Sequence, residues 1–185
     1  MTKFSSRSAL AVTAAVALSI GAGASAKNPM VGGAAMYSTR NIVANAVNSK
    51  DHTTLVAAVK AAGLVDTLSG KGPFTVFAPT NAAFARLPAG TVETLVKPEN
   101  KAMLTSILTY HVVPGRITAA EISRLAMRNR GTATLKTVQG DTLRFRKNGS
   151  SYIVTDAKGG QARIAIANVM QSNGVIHVVD RVLMP

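Results

Sequence analysis

The chain has 185 residues, of which 47% are hydrophobic, 4% aromatic and 16% charged, with neither Cys nor Trp; this is globular material rather than disordered, collagenous or disulfide-stapled chain. Without cysteine it holds no disulfide framework, thiolate zinc site, iron–sulfur cluster, thiol nucleophile or lipidated Cys. Its 21 Lys and Arg against 8 Asp and Glu, a net charge of +13, favour anionic partners.

The chain opens with Lys3 and Arg7, continues through the apolar stretch Ala9 to Ile20, and reaches Ala24-Ser25-Ala26, the small-x-small form of a signal-peptidase site. Residues 1–26 therefore read as a cleaved signal peptide, with a secreted or periplasmic mature protein starting after Ala26. The apolar run is shorter than the ~20 residues that span a bilayer, so no integral membrane anchor is expected. Losing the segment lowers the net charge to +11. Residues 27–45, with Gly32, Gly33 and scattered Asn and Ser, show weak periodicity and predict a flexible leader. The folded domain is expected over 46–185.

Within it, Leu55, Val56, Val59 and Ala62 recur at helical spacing, and Gly63-Leu64 suits a helix C-cap. Phe74-Thr75-Val76-Phe77 is a short strand between Gly72-Pro73 and Pro79, with Thr80 or Asn81 placed to cap a brief helix through Phe84. Pro98 and Glu99 open a further helix whose buried stripe is Met103, Leu104, Ile107, Leu108 and His111. Thr118-Ala119-Ala120-Glu121 reads as a capping box, with Ile117 and Ile122 as its hydrophobic staple.

Beyond Arg130 the period changes to two. Leu143 and Phe145 alternate with Thr142, Arg144 and Arg146, Lys147-Asn148-Gly149-Ser150 turns the chain, and Tyr152-Ile153-Val154 returns. Two more strands, Arg163 to Val169 and Val175 to Leu183, flank a turn at Ser172-Asn173-Gly174. Helices first and strands later predict an α+β fold.

The block Gly72-Pro73-Phe74-Thr75-Val76-Phe77-Ala78-Pro79-Thr80-Asn81-Ala82-Ala83-Phe84 resembles the first signature of the fasciclin (FAS1) domain. Asn173-Gly174 followed by Val175-Ile176-His177-Val178-Val179-Asp180-Arg181-Val182-Leu183 resembles the second, and Tyr110-His111 matches the motif between them. The resemblance implies a FAS1-type β-sandwich or wedge of about seven strands with helices packed on one side. It further implies a non-enzymatic role in adhesion or interaction at the cell surface, in the matrix or in the periplasm. In animal members, integrin-binding segments lie around the Tyr-His motif and just before the second block. Here Asn168 stands where the integrin motif carries its acid, and a neutral amide is a poor ligand for an integrin's cation.

Most signature residues read as structural from their chemistry alone. Phe74, Val76, Phe77 and Phe84 place four large apolar groups close together, and His111 and His177 sit in apolar surroundings that suit hydrogen-bonded core histidines. The three histidines show no HxxxH, HxH or facial-triad spacing, so no metal is expected. No GxSxG elbow occurs, the eight acids are scattered, and the double glycines lack phosphate-loop context. No enzyme activity and no cofactor are therefore expected.

Between Arg116 and Lys147 the chain carries Arg116, Arg124, Arg128, Arg130, Lys136, Arg144, Arg146 and Lys147 against Glu121 and Asp141. Arg124 and Arg128 are one helical turn apart and Arg144 and Arg146 share a strand face, so the four are expected to form one anion-binding surface. An exported chain with few aromatics and no nucleic-acid-binding pattern points away from nucleic acid. The expected partner is a protein or an anionic polysaccharide or lipid surface component, met by a monomer. The alternative is a periplasmic binder of a small apolar ligand or lipid, which requires a sizeable apolar pocket.

Overall fold

The computed structural model describes residues 28–185, so the expected signal peptide over 1–26 lies outside the described residues. Two short strands, β1 (Met30–Val31) and β2 (Ala34–Ala35), form a hairpin before α1 (Ile42–Ala46). Then come α2 (Thr53–Ala62), α3 (Val65–Ser69), β3 (Phe74–Pro79), α4 (Asn81–Phe84), α5 (Thr91–Leu95), α6 (Lys101–Tyr110) and β4 (Val112–Pro114). The second half holds α7 (Ala119–Arg128), β5 (Thr132–Lys136), β6 (Thr142–Asn148), β7 (Ser151–Thr155), β8 (Gln161–Gln171) and β9 (Gly174–Val179).

Seven strands make one sheet in the order β4-β3-β9-β8-β7-β6-β5, antiparallel except for the central parallel pair β3 and β9. The sheet curls until its ends approach, and the Val138 amide donates to the Val112 carbonyl at 2.8 Å across the gap. This is the α+β, seven-stranded architecture expected from the signature blocks, except that the helices do not all pack on one side: α1 to α6 cover one face and α7 the other.

The curl separates two apolar cores. On one side α1 to α6 pack against Val76, Ala78, Val169, Ile176 and Val178. Inside the curl, Phe77, Val113, Leu143, Phe145, Val154, Ile164 and Val179 close around one another, covered by Ile122 and Ala126 of α7. The central strands β3 and β9 thus alternate between two cores, which is why their sequences are apolar on both faces.

Local signals hold where the chain signals its own ends. Gly63 caps α2 in the left-handed region at φ 73°, Thr80 caps α4 by accepting the Ala83 amide, and Thr118 caps α7 by accepting the Glu121 amide. The capping box is only half made, because the Glu121 carboxylate pairs with Arg124 instead of returning to the Thr118 amide. Met103 leaves the predicted stripe and is 58% exposed, on the shoulder of α6 beside the buried Leu104 and Leu108. The last strand stops at Val179, where the Asp180 carboxylate turns to accept the Arg163 amide.

The segment 27–45, expected as a leader, packs into the helical core over its described part. Val31, Met36 and Ile42 are buried there. Asn45 is fully buried, exchanging hydrogen bonds with the Tyr37 backbone and donating to the Gln171 side chain. The expected boundary at 45/46 falls inside α1. Spaced apolar residues in a short hairpin carry no periodicity, so their burial depends on partners distant in the chain.

Candidate functional site

The signature residues divide between packing and tying loops together. Phe77 is fully buried, with its ring centroid 5.1 Å from that of Phe145 and 5.4 Å from that of His177. Val76 and Phe84 enter the helical core, with Phe74 partly buried against it. Pro79 ends β3 opposite Val179. The Asn81 side chain accepts the Thr54 amide and donates to the Lys50 carbonyl, binding α4 to the start of α2. Tyr110 is buried; its hydroxyl donates to the Thr142 carbonyl and accepts the Ala157 amide. Burial raises its pKa.

Both signature histidines are neutral struts. His111 donates from Nδ1 to the Ile107 carbonyl and accepts the Leu183 amide at Nε2, fastening the C-terminal segment onto α6. Complete burial lowers its pKa to about 4, with the Ile107 carbonyl opposing. His177 donates from Nε2 to the Ile117 carbonyl and accepts the Asn168 amide at Nδ1, and burial lowers its pKa as well. Asn168 stands at φ 60° in an irregular stretch of β8, and its side chain accepts the Ala119 amide at the start of α7. The residue at the integrin-acid position therefore holds a helix start.

At the opposite end of the sheet the two signature blocks touch. A Cβ on Gly174 would lie 2.0 Å from the Phe74 carbonyl oxygen, and one on Gly72 equally close to that of Asn173. The Asn173 side chain accepts the Ile42 amide and donates to the carbonyls of Leu68 and Gly70, joining α1, α3 and the β8–β9 turn. Asp180 accepts the Arg163 amide and pairs with Arg86 at 3.7 Å.

The four arginines expected on one surface are divided by the sheet. Leu143 and Phe145 point into the core that α7 covers, so Arg144 and Arg146 between them point to the outer face. Arg124 and Arg128 ride on α7, over the inner face. Helical and strand spacing pair each couple correctly, but the packing of α7 inside the curl puts the couples on opposite sides. Arg124 is also paired with Glu121.

The outer face has its own basic set. Register aligns Arg146 with Ile153 and Arg163, Arg144 with Thr155 and Gln161, and Lys136 with Thr142. Lys136, Arg144, Arg146 and Arg163 are all exposed, and they stand on β5, β6 and β8. Lys136 and Arg163 lie 27 residues apart, so this set is visible only once register is known.

Among the described residues no three His, Cys, Asp or Glu side chains gather to hold a metal, and no helix is long and apolar enough to cross a membrane. Two apolar cavities lie in the helical core, of about 40 and about 30 Å³. Both are far below the ~300 Å³ at which ligand pockets begin, so neither is the chamber that the apolar-ligand reading requires.

A profile of the fasciclin domain matches residues 50–185. Protein sll1483 of Synechocystis is 49% identical over 160 residues, covering 86% of this chain and 81% of that one. The cell surface glycolipoprotein MPB83 of Mycobacterium bovis is 36% identical over 166 residues, covering 86% of this chain and 68% of that one. A solved FAS1 domain pair from the insect cell adhesion molecule fasciclin I superposes with a TM-score of 0.70 at 18% identity, over 79% of this chain and 51% of that one.

Proposed function

The chain belongs to the fasciclin domain family, and from that premise we propose that it is an exported, non-enzymatic adhesion module contacting anionic components of the cell surface, matrix or periplasm. The observation that carries this reading is how its polar chemistry is distributed. The signature groups Tyr110, His111, Asn173 and His177 are spent on internal hydrogen bonds. The outer sheet face instead presents Lys136, Arg144, Arg146 and Arg163 to solvent. Exposed arginines make bidentate hydrogen bonds to sulfate, carboxylate or phosphate, and a cationic face of this kind gathers polyanions from solution. A relative that is a cell surface glycolipoprotein supports the location.

Retention on a heparin-like or lipopolysaccharide matrix tests the reading. It should fall steeply with added salt as the Debye length contracts towards 8 Å near physiological ionic strength. Replacing Arg144 and Arg146 together with Gln should weaken it more than the same exchange at Lys50 and Lys60, which lie on the helical side. Equal losses from both pairs would reduce the effect to net charge, and no retention at low salt would remove the surface from the function. Export has its own readout: the intact mass of the cell-derived protein should correspond to a chain starting at Lys27, and a cytosolic chain retaining residues 1–26 would contradict it.

A further inference from the structure

Where the two signature blocks meet, the surface is hollowed into a groove of about 930 Å³. Three cations stand around it, each from a different part of the chain. Arg40 precedes α1, Lys71 precedes β3 and Arg116 follows β4, and no acidic side chain lines the groove. Thr39, Ser69 and Ser172 add hydroxyls to the same walls. The outer-face set described above contributes nothing here, so this is a separate site.

The floor of the groove is built rigidly. The Asn173 side chain makes three hydrogen bonds beneath it, the Ser172 amide donates to the Arg40 carbonyl at 2.9 Å, and Gly72 presses against the Asn173 carbonyl where no Cβ fits. The cations, by contrast, are exposed. Arg40 places its guanidinium 4.8 Å from the Tyr37 ring centroid, a cation–π contact that uses none of its hydrogen-bond donors. Arg116 spends one N–H on the Ser172 carbonyl and keeps most of its five donors. A concave wall with three cations and no acid concentrates positive potential.

We propose that this groove binds a carboxylate- or sulfate-bearing oligosaccharide. Its volume falls in the ~300 to 1,000 Å³ range of small-molecule sites, more than a lone inorganic anion fills. Cationic forks match the acid groups of such a sugar and the Thr and Ser hydroxyls match its own. Apart from Ala44 and Pro73 the lining holds no apolar side chain, which disfavours an acyl chain. The site goes beyond the adhesive face by giving the module selectivity for a short, acidic stretch of glycan.

The test is a titration of the isotopically labelled protein, followed by amide NMR and calorimetry, with a trigalacturonate and a heparin-derived tetrasaccharide as probes. Maltotriose, and sodium sulfate at matched ionic strength, are the controls. Amides of residues 39–41, 69–73 and 172–173 should shift with an acidic probe and stay still with maltotriose. Exchanging Arg40 and Lys71 together for Gln should weaken binding at least tenfold with the melting temperature unchanged. Lys71→Gln alone, at a side chain that makes no hydrogen bond or ion pair among the described residues, should give a smaller loss and stands in if the double variant folds poorly. Arg144→Gln with Arg146→Gln should leave groove binding intact while weakening matrix retention, which separates this site from the adhesive face. The proposal is overturned by equal weakening from both double variants, by sulfate alone shifting the same amides as tightly (an adventitious ion only), or by no binding of either acidic probe at millimolar concentration.

Discussion

At the scale of single residues, His111 and His177 show how a polar side chain becomes part of a core. Each has a donor and an acceptor at opposite ring nitrogens, so the neutral ring is fully satisfied and a second proton would break a bond. The pKa of His111 is about 4 in the fold against ~6.5 in an unfolded chain. The unfolded state therefore binds the proton first, and the stability His111 confers is complete above about pH 6.5 and lost as pH falls towards 4. His52 and His177, also lowered by burial, act with the same sign. Urea midpoints at pH 7 and pH 5 should differ by the equivalent of about 2 kcal/mol from His111 alone; a flat profile would refute the neutral, buried assignment. His177→Ala should cost about 1 to 3 kcal/mol by leaving the Ile117 carbonyl and Asn168 amide without partners. If that variant melted like the parent but lost a ligand, His177 would be a binding residue instead.

At the scale of elements, the parallel pairing of β3 with β9 is what brings the signature blocks together, and it depends on the closeness of two backbones. Gly174 stands where any Cβ would meet a main-chain oxygen that cannot swing aside. Gly149, in the β6–β7 turn, has φ 59° but open space around it. Gly174→Ala should therefore cost more than about 3 kcal/mol, as overpacking against backbone does, while Gly149→Ala should cost only about 1 to 2 kcal/mol of left-handed strain. Thermal or urea unfolding of the two variants compares them directly, and equal costs would mean the strands can separate without penalty. The two positions also mark how far sequence reasoning reaches within an element. An Asn-Gly pair between alternating runs signals a turn by itself. The glycine that permits a strand to approach another, 100 residues away, has no local signature apart from the family block that contains it.

At the scale of the whole molecule, the domain is larger than its family profile, because β1, β2 and α1 belong to the helical core although the match begins at residue 50. A chain beginning at Ala46 would lose Val31, Met36 and Ile42, about 5 to 9 kcal/mol of apolar burial at 1.5 to 3 kcal/mol for each side chain, and would strand the Gln171 side chain that Asn45 satisfies. It should unfold non-cooperatively or at a much lower temperature than a chain beginning at Lys27, as far-UV circular dichroism can show; equal melting curves would make the segment a passive arm.

The basic charge and the α+β class were determined by the sequence alone, and so were α2, α6, α7 and β6, the caps at Gly63, Thr80 and Thr118 and the β6–β7 turn, since these local features depend on residues a few positions apart, whereas β1, β2 and α1 carried no such signal. Which face a residue reaches was decided by the tertiary structure. The curl of the sheet set Arg124 and Arg128 apart from Arg144 and Arg146, aligned Arg163 with Arg146, buried Asp156 under the amides of Gly160 and Met184, and gathered Arg40, Lys71 and Arg116 around one groove. These outcomes depend on strand register and on which helix covers which side, and both are fixed by contacts between segments tens of residues apart that leave no periodic trace in the chain.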